Sequence, residues 1–421
     1  MRLLLAAAAL IGSAAAAEET SLHYQATVAA QYHPSFDAAY SGKNSLQLGS
    51  ESATSVVMDL FGAARVPWWT GGEIYLQPEM SGGRGLSSTL GVAAFPSGEV
   101  YRVGNPEPTV VVGRAYYRQT FGFGGGKTKI ESAPNQLAGE KDNDALSITI
   151  GKFAVPDVFD AVPQSNDPHS RFMSWGLFAS AAYDYPADTR GYTWGAAADL
   201  SLGQWSFRAG IFLEPEVANG IKLEPDVTRA RGLVAEVERR FSCGAVRLLG
   251  FVNTADMGSY AEATAAHVDI GATRAQGRTK AGVAASVDCD FGSGLGGFVR
   301  GSFNDGKNET WAFTEIDRSL ALGAVQSGAR WSRPLDEAGV AVVVSGLSGE
   351  HKAYLANGGF GFLIGDGALD YAPELLGELY YRLAFDEHVA LGVNYQPIFN
   401  PAYNHARGPV NVFTARVHVA F

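Results

Sequence analysis

The chain of 421 residues has a formal charge of −11 and no basic cluster interleaved with aromatics, which excludes nucleic acid as a partner. Charged residues are only 18% of the chain, while Gly reaches 51, Phe 23 and Tyr 17. That mixture fits many strands with one lipid face, glycine at bends and aromatic girdles, and it also fits a large secreted sandwich or solenoid.

From Met1 the chain runs through one Arg and a Leu/Ala-rich stretch to Ala15, Ala16 and Ala17 before Glu18. This is the pattern of a cleaved export leader over residues 1–17, too short for a spanning helix. No later run of about eighteen apolar residues occurs, so no transmembrane helix is expected. Nothing divides residues 18–421, which read as one domain.

Segments of period two recur along this domain and mark strands. In order they are 23–32, 52–66, 72–79, 109–121, 145–153, 192–202, 205–213, 232–241, 245–253, 280–288, 296–303, 320–331, 339–347, 375–385, 388–398 and 411–421. The last ends on an aromatic of its apolar face, Phe421, the pattern of a closing strand that meets lipid. Connections alternate short and long, as at 242–244 against 254–278 and 385–388 against 351–374. A sandwich has no reason to sort its loops this way, whereas an outer-membrane barrel does. Parity holds if 175–185 is not a wall strand, which gives an antiparallel transmembrane barrel of about 16 strands, wide enough for an aqueous channel. Two long outer connections, 80–108 and 153–191, are then expected to fold inward and narrow it.

Alternation also assigns faces. An Arg facing lipid at the midplane costs about 2–4 kcal/mol, so Arg114, Tyr116, Arg118 and Thr120 point into water, opposite Val111, Ala115, Tyr117 and Phe121. By the same reasoning Glu73, Tyr75 and Gln77 face inward, as do Glu236, Glu238, Arg240, Arg300, Asn304, Arg330, Glu378, Tyr380, Arg382, Asn394 and Gln396. Such a lining either braces the wall through Arg–Glu pairs or offers donors, acceptors and aromatic faces to a sugar.

Other chemistry is not supported. The stretch from Phe121 to Thr128 imitates a phosphate loop, but Phe121 stands where Gly is required and no helix pattern follows. The eight His lack ligand spacing, so no metal and no cofactor is expected. Glu315 and Asp317 sit among Asp305, Glu309 and Arg318 in a long loop, where paired charges outweigh a glycosidase dyad. Trp68 and Trp69 read as interface girdle. Cys243 and Cys289 fall at the periplasmic ends of neighbouring hairpins; a disulfide and two separate thiols both fit.

Several segments resemble the carbohydrate-selective porins of the OprB family over nearly all of residues 18–421. They are GGRGLSSTLGVAAFPSGEVYRVG from Gly82, ITIGKFAVPDVFD from Ile148, DYPADTRGYTWG from Asp184, NDGKNETWAFTEIDRSL from Asn304, EHKAYLANGGFGFLIGDGALDY from Glu350 and NPAYNHARGPV from Asn400. The resemblance implies a passive outer-membrane channel for mono- or disaccharides rather than an enzyme, surrounded by lipid, as a monomer or a homotrimer. It also implies a constriction carried by Arg84 with Glu73, Arg114 and Arg118, and Arg300, Arg330 and Glu378 are further candidates on the wall. A general diffusion porin and a secreted β-rich carbohydrate-binding protein remain the alternatives.

Overall fold

The computed structural model describes residues 17–100 and 106–421; apart from Ala17 the expected leader lies outside them. Sixteen antiparallel strands form one closed barrel: β1 (Thr20–His33), β2 (Glu51–Arg65), β3 (Gly72–Gly83), β4 (Thr109–Ile130), β5 (Gly139–Phe153), β6 (Thr193–Leu202), β7 (Trp205–Leu213) and β8 (Arg231–Phe241). They are followed by β9 (Gly244–Ala255), β10 (Arg278–Asp290), β11 (Leu295–Asn304), β12 (Arg318–Ser327), β13 (Glu337–Gly346), β14 (Glu374–Ala384), β15 (Val389–Phe399) and β16 (Val410–Ala420). Each strand pairs with its sequence neighbours, and β1 closes on β16 from Gln25↔Ala420 to Tyr32↔Phe413. No edge is left, as backbone in hydrocarbon requires.

Outward positions are apolar and exposed: Leu22 and Val28 on β1, Ile74 and Leu76 on β3, Leu248 and Val252 on β9, Val393 on β15 and Val417 on β16. Aromatics concentrate at the two rims. Trp68, Trp205, Phe241, Phe291, Phe385 and Phe421 ring the short-turn end; Tyr32, Trp194, Phe303 and Phe399 ring the long-loop end. Cys243, in the β8–β9 turn, is disulfide-bonded to Cys289 near the end of β10.

Two face or boundary assignments are corrected. Between Gln77 and Pro78 the β3–β4 register shifts by one residue at a bulge beside Gly113. Beyond it the outward phase passes to Val110 and Val112, while Val111 turns from lipid. Strand β12 stops at Ser327, where the Gly328 N–H donates to Asp336 O (2.7 Å) and a short 3-10 turn spans Gly328–Trp331. Arg330 therefore lies exposed in a short-end turn and does not face the lumen.

The segment 175–185 is indeed no wall strand; it holds only a short helix, α1 (Trp175–Phe178), capped by Ser174 Oγ. This helix belongs to L3 (residues 154–192), which with the described part of L2 (residues 84–100) folds into the barrel. The wall explains where they settle. From β11 to β16 the inner face carries Phe298, Ala321, Val343, Leu376, Ile398 and Val412, and against these pack Leu86 and Val92 of L2 and Val162, Phe172 and Leu177 of L3. That side of the bore is thus filled, and on β5 to β9 Phe153, Phe212 and Phe251 pack in turn against Val155, Phe159 and Tyr183 of L3.

The exposed apolar band supplies a test. Val299→Arg on the outer face of β11 should lower unfolding free energy by about 2–4 kcal/mol, although Arg300 is its neighbour. Urea titration in lipid vesicles reads the shift.

Candidate functional site

L3 is held by wall side chains that grip its backbone. The Glu378 carboxylate accepts the N–H groups of Met173 (2.8 Å) and Ser174 (3.0 Å), and further bonds from Asn394 (2.7 Å) and Gln396 (3.0 Å). Arg300 donates to Leu177 O (3.1 Å), Asp160 O (3.0 Å) and Asn166 Oδ1 (2.6 Å). Glu236 accepts the Asp160 N–H (2.7 Å), and Arg416 donates to Pro168 O (2.7 Å) and Arg171 O (2.5 Å). Glu374 does the same for L2, accepting Ala93 N–H (2.9 Å) and Ala94 N–H (3.1 Å). Arg300 and Glu378 face inward as expected, but both are buried behind L3 and reach no open lumen.

The other half of the bore, from β1 to β10, keeps its charges. Arg114 and Arg118 on β4 oppose Gln77 and Glu73 on β3 in register. From L3, Asp157 takes Arg114 in a bidentate pair, Nε and Nη2 each donating at 2.6 Å, and Arg114 also donates to Gln77. Both remain in contact with the bore, their side chains 15% and 28% exposed. Three of the five guanidinium N–H groups are engaged in these bonds.

Below this pair, Tyr75 and Tyr116 stack with centroids 4.7 Å apart, and the Arg118 guanidinium lies over both rings at 4.9 and 5.4 Å. Its hydrogen bonds to their hydroxyls are long, 3.4 and 3.3 Å. Glu73 accepts from Tyr75 (2.7 Å) and Arg65 (2.9 Å). Arg84 stands apart: it follows the end of β3, exposed at the long-loop rim, and at about 3.3 Å per residue it is roughly 35 Å along the chain from Glu73.

The sequence reading missed several members of this surface. Asp157 follows Pro156 where β5 leaves the wall, and only its place in the segment from Ile148 hinted at a role. His169 of L3 pairs with Glu99 of L2 at 2.6 Å and meets Gln25 of β1 at 3.1 Å. Tyr192 donates to Glu79, and Asp59 accepts from Gln25 (2.7 Å) and Gln77 (2.6 Å).

At the long-loop end, the carboxylates imagined as a dyad are staples. Glu315 accepts Leu363 N–H (2.6 Å) and Ile364 N–H (2.9 Å); Asp317 accepts Ser348 N–H (2.8 Å) and meets His351 Nδ1 at 3.1 Å. Among the described residues no group of three or more acidic, His or Cys side chains could hold a metal.

A closed barrel of sixteen strands, a polar bore narrowed by inward loops, and an apolar outer band define the class: an outer-membrane porin. The family model for "Carbohydrate-selective porin, OprB family" matches residues 55–421, and the chain belongs to that family. The high-pH structure of Pseudomonas putida OprB is 15% identical and superposes with a TM-score of 0.70 over 96% of this chain and 94% of that one. The crystal structure of the outer membrane channel DcaP of Acinetobacter baumannii is 10% identical, with a TM-score of 0.54 over 98% and 99%. No curated protein matches the sequence. The long loops are accordingly extracellular and the short turns periplasmic.

Asp317 gives the loop crown a pH dependence. Burial opposes its charge, but His351, Lys280 and the Ser348 N–H together hold its carboxyl at about 2, below the ordinary 3.8. A depressed carboxyl stabilises above its ordinary value, so the contribution is full above about pH 4 and is lost as pH falls through about 2. Protease sensitivity of residues 347–373 should rise across that window, and Asp317→Asn should show no such step.

Proposed function

We propose that this porin conducts small saccharides by passive diffusion along the charged half of its bore. Arg114 with Asp157, and Arg118 with Tyr75, Tyr116 and Glu73, serve as two successive weak sites. Exported through a leader ending at Ala17, the chain would span the outer membrane from Glu18 onward as a single barrel domain. The observation that carries the reading is the Arg114–Asp157 pair, which joins wall to L3 yet stays in contact with the bore. A fixed cation and a fixed anion side by side offer donors and acceptors to neighbouring hydroxyls, and the Arg118 guanidinium, braced over the buried Tyr pair, offers a second cation lower down. Neither site encloses its solute, and weak binding is what throughput demands. Arg84 meets the solute at the outer rim, while Arg300 and Glu378 contribute indirectly by fixing L3. Diffusion down a gradient needs no catalytic group and no cofactor.

Planar-bilayer current titrated with glucose and maltose tests this. In the parent, current should fall saturably with sugar. In Arg114→Ala/Arg118→Ala the half-blocking concentration should rise about tenfold, the loss expected when hydrogen bonds from a charged donor are removed. Equal block in parent and variant would take both residues out of the path.

A further inference from the structure

One stretch of sheet serves no purpose in the wall. By Gly72↔Gln119 strand β3 has reached its turn, yet β4 and β5 remain paired well past that level, from Gly124↔Asp144 to Ile130↔Gly139. At about 3.3 Å per residue, residues 123–130 give this ribbon a reach of roughly 25 Å beyond the periplasmic rim.

The ribbon does not project straight down. Gly124, Gly125 and Gly126 all have positive φ (101°, 72° and 86°), and the ladder loses register on both sides of Gly124. A Cβ on Gly125 would lie 2.5 Å from the Asp144 carboxylate, and its positive φ would strain any side chain placed there. Asp142 accepts the Gly124 N–H (3.0 Å), Asn143 donates to Gly125 O (3.0 Å), and the Gly203 N–H of the β6–β7 turn donates to Asp144 (2.6 Å). The bend is bonded in place.

Its tip lands on strands three positions away around the barrel. Ala138 donates to Glu18 Oε2 (2.8 Å), and its carbonyl accepts from the Glu18 N–H (3.1 Å) and Arg65 Nη2 (2.9 Å). Ser132 Oγ bonds His23 Nε2 at 2.9 Å, and Leu137 between them is buried. His23 shares the inward phase of β1 with Gln25 and Thr27, and Arg65 shares that of β2 with Asp59. Lys141, on the ribbon's return strand, lies within electrostatic reach of Glu73 and Arg118 on β3 and β4 and of Asp199 and Arg208 on β6 and β7, the strands that flank the ribbon. A ribbon that leaves the wall at β4–β5 and docks on the lumen faces of β1 and β2 spans a chord over the periplasmic mouth beside β2 and β3.

We infer that residues 122–144 form a fixed strap over the β1–β5 side of the periplasmic exit, a second narrowing in series with L2 and L3 that sets the size limit of solutes leaving the barrel. This rests on the channel reading above, and the parent's own conductance separates the two: a parent without channels refutes the channel, whereas a conducting parent leaves the strap to be judged by its variants.

Two variants decide it. In the first, residues 123–143 are replaced by Asn-Gly. If the strap and the L2–L3 constriction are comparable resistances in series, conductance should rise about twofold. Liposome swelling should then extend to raffinose, while half-block by glucose stays at the parent value. Unchanged conductance and an unchanged size limit would overturn the strap. The second keeps the hairpin: Lys141→Cys in a Cys243→Ser/Cys289→Ser background, treated in the bilayer with a bulky methanethiosulfonate. A stepwise fall in single-channel current is expected, and undiminished current after complete labelling would overturn the inference independently.

Discussion

Everything in this molecule follows from the need to hydrogen-bond every backbone group that sits in hydrocarbon. The pairing of β1 with β16 meets that need, and once the sheet is closed each strand has one face in lipid and one in a bore wider than side chains can fill. What remains is how to occupy the bore. The chain does so with two loops that pack on apolar patches of the inner face, from β11 to β16 and again from β5 to β10, while charged side chains of β1 to β10 line the space left over.

The loops are not held by packing alone. Glu374, Glu378, Glu236, Asp184 and Glu315 each present a carboxylate to backbone N–H groups of a loop; Asp184 accepts those of Trp311 and Ala312 at 2.8 Å. A charged acceptor strengthens such bonds, and burial makes an unpaired one costly, so these contacts fix position as well as add stability. Arg300 and Arg416 play the converse part, donating to loop carbonyls. Polar wall residues therefore divide into those that grip loops and those that stay in contact with the bore.

That division was the part the sequence concealed. Strand count, loop sorting, the inward phase of Glu73, Arg114, Arg118 and Glu378, and the inward turn of L2 and L3 are all local or periodic properties, and alternation exposes them. Whether an inward residue is then covered depends on partners far away in sequence, such as Glu378 with Met173, and no local pattern carries that. Arg330 was misplaced because Leu320 to Ser327 and Trp331 keep a plausible alternation across a turn that begins at Gly328. The ribbon at 122–144 is not legible in the alternation because its glycine run, bent at Gly124 to Gly126, breaks period two.

The carboxylate grip on backbone amides has an evolutionary side. An N–H at position 173, 174, 93 or 94 is offered by any residue except proline, so the anchors Glu378 and Glu374 do not read the identity of the loop they hold. Outside the packed positions such as Leu86, Val92, Phe172 and Leu177, side chains along L2 and L3 are then free to drift without the loops losing their seat. A barrel built this way can change what it admits by substitutions in two segments, while the wall that positions them stays the same.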